Sequence, residues 1–372
     1  MSHIDLACTR CGRGHEPTMS VLRCESCREP LVVRYRAGHR AAQEWAGSPF
    51  PAPFHGPPWQ IGLGEGNTPV IAMRSTGEAL GLRRLHAKLE YMNPTGSFKD
   101  RGTAAMMSMA KELGIARVVE DSSGNAGASV AAYAARAGIE AHVFAPASTP
   151  PAKMRQIAVY GARTHSIDGP REAATDAAVA FCEERGLVYA SHSLSPFFLE
   201  GTKTFAYEVA RQMEDAMPDH VVIPGGNGGL FIGAWLGFQE MLATGRLQRA
   251  PRMHAIQARA VMPVAAAFAG EAWSPEPGAR TIASGIAVGA PPRLQQTLDV
   301  LRSSGGRSLA VDDESIVTWQ KTLAVRDGIY CEPTSAAAFA GLEVLVNDGH
   351  VGPDDAVLVA VTGFGLKDDP PV

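Results

Sequence analysis

From about residue 60 onward, short and nearly unbroken apolar runs alternate with longer stretches whose apolar positions recur at helical spacing. "RRLHAKLE", "ARVVED", "EAHVFAP", "HVVIPGG", "MHAIQA" and "AVLVAVTG" read as strands. The segment from Phe98 to near Gly114 reads as a helix, as do "GNAGASVAAYAARAG", "PAKMRQIAVYG", "LFIGAWLGFQEMLATG", "DESIVTWQKTLAVRDG" and "PTSAAAFAGLEVLVNDG". Most of these helices close on a glycine, which takes the left-handed backbone of a C-cap without strain. Strands that are apolar throughout, alternating with helices, predict an α/β fold with parallel sheets covered on both faces. In such folds ligands bind beyond the carboxyl ends of the strands. Three loops occupy such ends: "SSGN" after "ARVVED", "PGGNGG" after "HVVI", and "TGFG" after "AVLVAV". They are expected to face one crevice together with Lys99.

Ahead of this region lie a short predicted strand, "LVVRY", and a Pro- and Gly-rich stretch, "AGSPFPAPFHGPPW", read as a linker. A chain of 372 residues suits two or three domains, and 45% hydrophobic against 19% charged residues supplies an ordinary globular core. The net charge of −4, with no basic stripe, argues against nucleic acid and anionic membranes as partners. "MSHIDLACTR" has no apolar signal core and no segment is long enough to span a bilayer, so a soluble, cytoplasmic protein is expected. In that compartment thiols stay reduced. The paired motifs "CTRC" (Cys8, Cys11) and "CESC" (Cys24, Cys27) then read as a structural four-thiolate zinc site. Four unmetallated thiols are the alternative.

"NPTGSFKDRG", Asn93 to Gly102, combines two turn dipeptides with Ser97 as an expected helix N-cap. Lys99 then falls in the first turn, where the helix dipole favours anions. A lysine there is either solvated or held for chemistry. Gly225, Gly226, Asn227, Gly228 and Gly229 precede a helix and can converge backbone N–H groups on a phosphate. No Gly-Lys-Ser/Thr follows, as a P-loop needs, nor the acidic residue of a dinucleotide site. A ligand-free turn is the alternative. Ser122, Ser123, Gly124, Asn125 and Ala126 form a second strand-to-helix loop, able either to hold a carboxylate or merely to cap its helix. A lysine, a phosphate cradle and a carboxylate cradle together point to pyridoxal phosphate acting on an amino acid, with the lysine in Schiff-base linkage.

"GEGNTPV", "KLEYMNPTGSFKDRG", "SSGNAGASVAAYAARAG", "LEGTKTFAYEV", "PGGNGG", "CEPTSAAAFAGL" and "VTGFGLKD" follow one another in an order that resembles the threonine synthases. These belong to the tryptophan-synthase-β-like (fold type II) pyridoxal phosphate enzymes. The resemblance spans about residues 60–368, and "CTRCG…CESC…LVVRY" is similar to the cysteine-rich head of some of them. It implies a four-cysteine zinc-ribbon-like module at 1–36 and a linker at 37–59. A large domain at 60–103 and 203–372 and a small inserted domain at 104–202 would follow, in a homodimer. Lys99 would be the Schiff-base lysine and move protons at Cα, with Phe98 packed near the ring. Asn125 would bond the cofactor's ring hydroxyl, the glycines at 225–229 its phosphate, and Thr362 would face its pyridine nitrogen. A hydroxyl there makes the ring a milder electron sink, suited to elimination and replacement. Ser122 to Ala126 would take the substrate carboxylate.

Threonine synthases commonly place Asn-Ser and then an arginine before "LEG". Here "SHSLSPFFLEG" puts His192-Ser193 and Phe198 at those positions, and Ala126 stands where threonine is frequent. The change at Phe198 removes the best bidentate phosphate ligand, leaving Lys153 and Arg155 as the nearest basic alternatives. The implied activity is elimination at the γ carbon of an activated homoserine, then water addition at Cβ to give threonine, in a pocket that departs from the usual phosphate site. The rivals are a serine/threonine dehydratase, a cysteate-synthase-like β-replacement enzyme, and a non-catalytic cofactor carrier or zinc-module interaction protein.

Overall fold

The computed structural model describes residues 4–36, 61–149, 151–276 and 278–368, so the linker expected at 37–59 lies outside the described residues. The chain forms two compact units. One comprises residues 1–65, 93–95 and 99–204, the other 66–92, 96–98 and 205–372. The main crossings therefore fall between Phe98 and Lys99 and between Thr204 and Phe205, where the sequence suggested 103 and 202. The cysteine-bearing segment lies within the first unit.

Thirteen strands are present among the described residues. β1 (Ile4–Cys8), β2 (Gly14–His15) and β3 (Leu31–Tyr35) pair antiparallel in the order β2-β1-β3. β4 (Val70–Ala72) and β5 (Arg84–Lys88) open the second unit. β6 (Arg117–Glu120), β7 (Glu140–Pro146), β8 (Arg163–Ile167) and β9 (Val188–Tyr189) form the parallel sheet of the first unit, in the order β8-β7-β6-β9. β10 (His220–Pro224), β11 (Arg252–Ala258), β12 (Ser308–Val311) and β13 (Ala356–Ala360) complete the second unit's sheet, ordered β12-β11-β10-β13-β5-β4. Every pairing in that sheet is parallel except that of β4 with β5.

β13 shows why its sequence is apolar throughout. Val357 and Val359 join one hydrophobic cluster, with Phe339 and Leu342 of the helix Pro333–Asn347. Leu358 and Ala360 join another, with Phe231 and Phe238 of the helix Gly229–Ala243. Successive side chains point to opposite faces, so a strand covered on both sides has no polar position to spare. β8, by contrast, is an edge strand, and "RTHSI" is only partly buried or exposed along its length. Its polar sequence gives no strand signal, and neither it nor the following helix Arg171–Arg185 is evident from the pattern. Among the described residues, no helix is long and apolar enough to cross a membrane.

Candidate active site

The helix headed by Lys99 runs from Lys99 to Glu112. Ser97 is therefore not its N-cap, and its buried hydroxyl has no hydrogen-bond partner. The helix start is fixed instead by Asp100, which is fully buried. Its carboxylate accepts from Thr95 N–H at 2.7 Å, from the Thr95 hydroxyl at 2.6 Å and from the Ser129 hydroxyl at 2.7 Å. A carboxylate in the first turn also suits the helix dipole. The backbone of Lys99 is thus held by its neighbour.

Phe198, also fully buried, lies on the short helix Pro196–Thr202. That helix presses hard on the Lys99 helix: a Cβ on Gly102 would meet the Phe198 ring at 2.5 Å. Only glycine at 102 lets the ring lie there. Lys99 Nζ sits 5.8 Å from the centre of the same ring, and the His192 ring meets it edge to face at 6.0 Å. Amine and imidazole thus flank one aromatic wall.

β6 and β9 are parallel neighbours, so the residues after them leave the same edge of the sheet. Ser122 to Gly124 follow β6, and His192 follows β9. The helix Asn125–Ala137 takes Gly124 as its N-cap, without a side-chain cap bond; the Ser122 hydroxyl accepts from Gly124 N–H at 3.3 Å instead. Ser123, Gly124 and Asn125 are half-buried, whereas Ala126 is buried in the helix. Glu120, the last residue of β6, was legible only as a strand residue. It grips His192 twice: Oε1 lies 2.8 Å from Nδ1, and Oε2 accepts the His192 backbone N–H at 3.3 Å. Burial holds the Glu120 carboxyl well above the usual carboxylate range, with Asp121 adding to the effect. Burial likewise holds His192 well below the usual imidazole range, and the nearby charges of Lys99 and Arg171 push the same way.

In the second unit, the cradle follows β10 and Thr362 follows β13, its parallel neighbour. Gly225 N–H donates to Ile256 O at 2.7 Å, and the Gln257 side-chain amide donates to Gly225 O at 2.8 Å. Gly228 has a left-handed φ of 80°, and a Cβ on it would meet Thr297 Oγ1 at 2.7 Å, so glycine is required twice over. Gly226 and Gly228 are buried, and among the described residues their N–H groups meet no acceptor. The helix Gly229–Ala243 opens at once behind them, with no acidic residue in its first turn. Buried donors at a helix N-terminus fit a phosphate.

Thr362 is joined to Ser335, whose role the sequence did not disclose beyond its place in "CEPTSAAAFAGL". The Ser335 hydroxyl accepts from the backbone N–H of Thr362 at 2.9 Å and of Gly363 at 3.0 Å. Both its lone pairs are then used, so its proton goes to the nearest remaining acceptor, Thr362 Oγ1 at 3.1 Å. The Thr362 hydroxyl is left to donate onward, as an unprotonated ring nitrogen requires. Phe98 N–H donates to Thr362 O at 3.1 Å, and Ser97 bridges to Gly363. Phe98, Thr362 and the cradle therefore share one edge of this sheet, together with the unsatisfied Ser97 hydroxyl. These groups fit a phosphorylated aromatic cofactor with a ring nitrogen.

The family model for pyridoxal-phosphate-dependent enzymes matches residues 61–363. The chain belongs to that family. The enzyme is 40% identical to the threonine synthase of Methanocaldococcus jannaschii over 311 residues, covering 83% of this chain and 76% of that protein. It is 36% identical to the threonine synthase of Mycobacterium tuberculosis over 310 residues, covering 83% and 84%. Among solved structures it is similar to an L-serine ammonia-lyase from Rhizomucor miehei, with a TM-score of 0.71 at 22% identity over 80% of this chain and 93% of that one. Maize serine racemase gives 0.67 at 24% identity, over 80% and 88%. Both share the parallel-sheet α/β fold. The enzyme is a pyridoxal-phosphate-dependent lyase.

The four N-terminal cysteines converge. Cys8 and Cys27 Sγ are 3.3 Å apart, Cys11 and Cys24 3.7 Å, Cys11 and Cys27 3.8 Å, and all four lie within 4.8 Å of one another. Tetrahedral zinc with Zn–S bonds of about 2.3 Å needs sulfur separations of roughly 3.8 Å. The Cys24 thiol is pulled down to about 5, first by the Cys27 backbone N–H, while the Cys27 thiol is pushed up to about 12 by its hydrogen bonds to the other three, so the four share their protons unevenly.

Proposed function

We propose that the enzyme is a threonine-synthase-like lyase. It eliminates a group from the γ carbon of a homoserine-derived amino acid and adds water at Cβ to give threonine. The observation that supports this reading is the 40% identity to a threonine synthase over 83% of this chain. In the wall beside Lys99, Phe198 and His192 occupy the positions at which a phosphate-binding Asn-Ser and arginine are expected. The general activity comes from the relatives; the departure in leaving group comes from this wall.

Lys99 would carry the cofactor, with Phe98 packing on its ring and Asn125 bonding its ring hydroxyl. Gly225, Gly226, Asn227, Gly228 and Gly229 would take its phosphate, and Thr362 would meet its ring nitrogen. Bound there, pyridoxal phosphate supplies the electron sink that lets a proton leave Cα. Lys99 takes that proton and returns it. Ser122, Ser123 and Gly124, with Asn125 and Ala126 opening the next helix, orient the substrate carboxylate at the helix N-terminus. Phe198 covers one side of the amine and excludes water from it. A hydroxyamino-acid dehydratase is the second reading, favoured by the same lack of an arginine at 198. The deciding experiment is turnover of phosphohomoserine, homoserine, threonine and serine by the cofactor-loaded protein. Threonine formed from a homoserine substrate supports the first reading. Keto acid and ammonia, formed only from serine or threonine, would overturn it.

Cys8, Cys11, Cys24 and Cys27 are proposed to hold one structural zinc. The module is tied to the catalytic unit through Tyr35, whose hydroxyl donates to Glu200 at 2.5 Å, and Glu200 pairs with Lys203 at 2.6 Å. Glu200 lies on the Phe198 helix. Elemental analysis of protein purified without added metal should find about one zinc per chain, falling to near zero in Cys24→Ser. Native protein whose four thiols all alkylate freely would rule the site out.

A further inference from the structure

We propose that Glu120 and His192 are a proton-donating pair serving the leaving oxygen, so that the substrate class is a free hydroxyamino acid whose hydroxyl departs as water. The inference rests on the lyase reading above and deepens it. It starts from an imbalance in the site. Hydroxide is a poor leaving group and needs a proton as the carbon–oxygen bond breaks. A phosphate held by arginine needs none, but Phe198 stands where that arginine would be. Lys99 cannot be the donor in the same step, because it is receiving the proton from carbon.

The geometry supplies another donor. His192 and Lys99 flank the Phe198 ring, at 6.0 Å and 5.8 Å from its centre. His192 is 5% exposed and Glu120 fully buried. Both Glu120 oxygens meet His192, one at Nδ1 and one at the backbone N–H, and the same carboxyl also hydrogen-bonds the Asp121 side chain. The imidazole is thus clamped with Nδ1 turned to the carboxyl, and Nε2 is the nitrogen on the other edge of the ring. Two groups buried together this deeply are most stable as a neutral pair, in which a carboxylic acid faces an uncharged imidazole. The surrounding charges agree. Lys99 and Arg171 disfavour a charged imidazole, and Asp121 disfavours a charged Glu120, while Arg171 opposes it there. Asp121 is itself occupied by the Thr175 hydroxyl at 2.5 Å and lies beside the Tyr189 phenol.

The neutral pair stores one transferable proton. As the carbon–oxygen bond breaks, its electrons pass to oxygen and His192 Nε2 gives its proton to that oxygen. The Glu120 proton moves to Nδ1. Water leaves, and the pair is left as an uncharged imidazole, protonated on Nδ1, against a carboxylate. The Lys99 ammonium, carrying the proton taken from carbon, restores the missing one. With water then added at Cβ, homoserine becomes its isomer threonine, and no co-reactant is consumed. His192 is the catalytic residue here and Glu120 the positioning residue that also recharges it.

The test compares substrates that differ only in their need for this proton. Homoserine is set against its γ-chloro analogue, 2-amino-4-chlorobutanoate, and serine against β-chloroalanine, since chloride departs without protonation. The readout is the ratio of kcat/KM for the hydroxyl compound to that for the chloro compound. In His192→Asn this ratio should fall by about 10²-fold or more. It should fall too in Glu120→Gln, which keeps the hydrogen bonds but holds no acidic proton. If both members of each pair fall together, or neither falls, the pair is structural and the proposal is wrong. A wild-type enzyme that turns over the chloro compounds but neither hydroxyl compound would overturn this proposal alone. One that processes none of the four, nor phosphohomoserine, would overturn the lyase reading with it.

Discussion

Lys99→Ala is expected to abolish turnover while leaving the fold intact. A positioned acid–base group is worth roughly 10²–10⁴-fold in rate, and the lysine here is also the nucleophile that would anchor the cofactor. The loss should therefore reach at least the upper end of that range. The fold should survive because the start of the helix is held by Asp100, through Thr95 and Ser129. The visible absorbance of the lysine-linked cofactor should vanish as well. Steady-state kinetics, the absorption spectrum and a thermal melt on the same preparation check all three expectations. Activity within tenfold of wild type would show that another group moves the proton.

The second large effect is expected at Phe198. Phe198→Arg should raise catalytic efficiency on phosphohomoserine by about ten- to a hundredfold for each hydrogen bond the guanidinium makes. A charge-assisted hydrogen bond is worth about 1.5–3 kcal/mol, and 1.4 kcal/mol is a factor of ten. The ring lies against Gly102, whose missing side chain provides the space it fills. The gain should be confined to the phosphorylated substrate, because free homoserine offers no dianion to bind. Efficient turnover of phosphohomoserine by wild type, with nothing added by the arginine, would mean that the phosphate has another anchor.

Much of this was legible in the sequence, for physical reasons that differ from residue to residue. The strands of the second unit stand out because a strand buried on both faces has no polar position, as Val357 to Ala360 illustrate. The cradle stands out because Gly228 must be left-handed and must also fit against Thr297, so its glycine cannot be hidden. Other features carried no local signal. β8 is polar because it is an exposed edge. Glu120 looks like the end of an ordinary strand, and only the parallel pairing of β6 with β9 brings it to His192. Ser335 sits in an alanine-rich helix and acquires its role from the end of β13, across a separation that no spacing rule spans. Ser97 satisfied the composition of an N-cap, but the helix starts at Lys99 and leaves its hydroxyl buried and unpaired.

Every assignment in the site refers back to Lys99, so the most direct test is chemical trapping there. The cofactor-loaded enzyme is reduced with borohydride, digested, and the modified peptide sequenced by mass spectrometry. The expected result is a single pyridoxyl-modified peptide carrying the label on Lys99, within "NPTGSFKDRG". A label on Lys88, Lys203 or any other lysine, with Lys99 unmodified, would contradict the site as described.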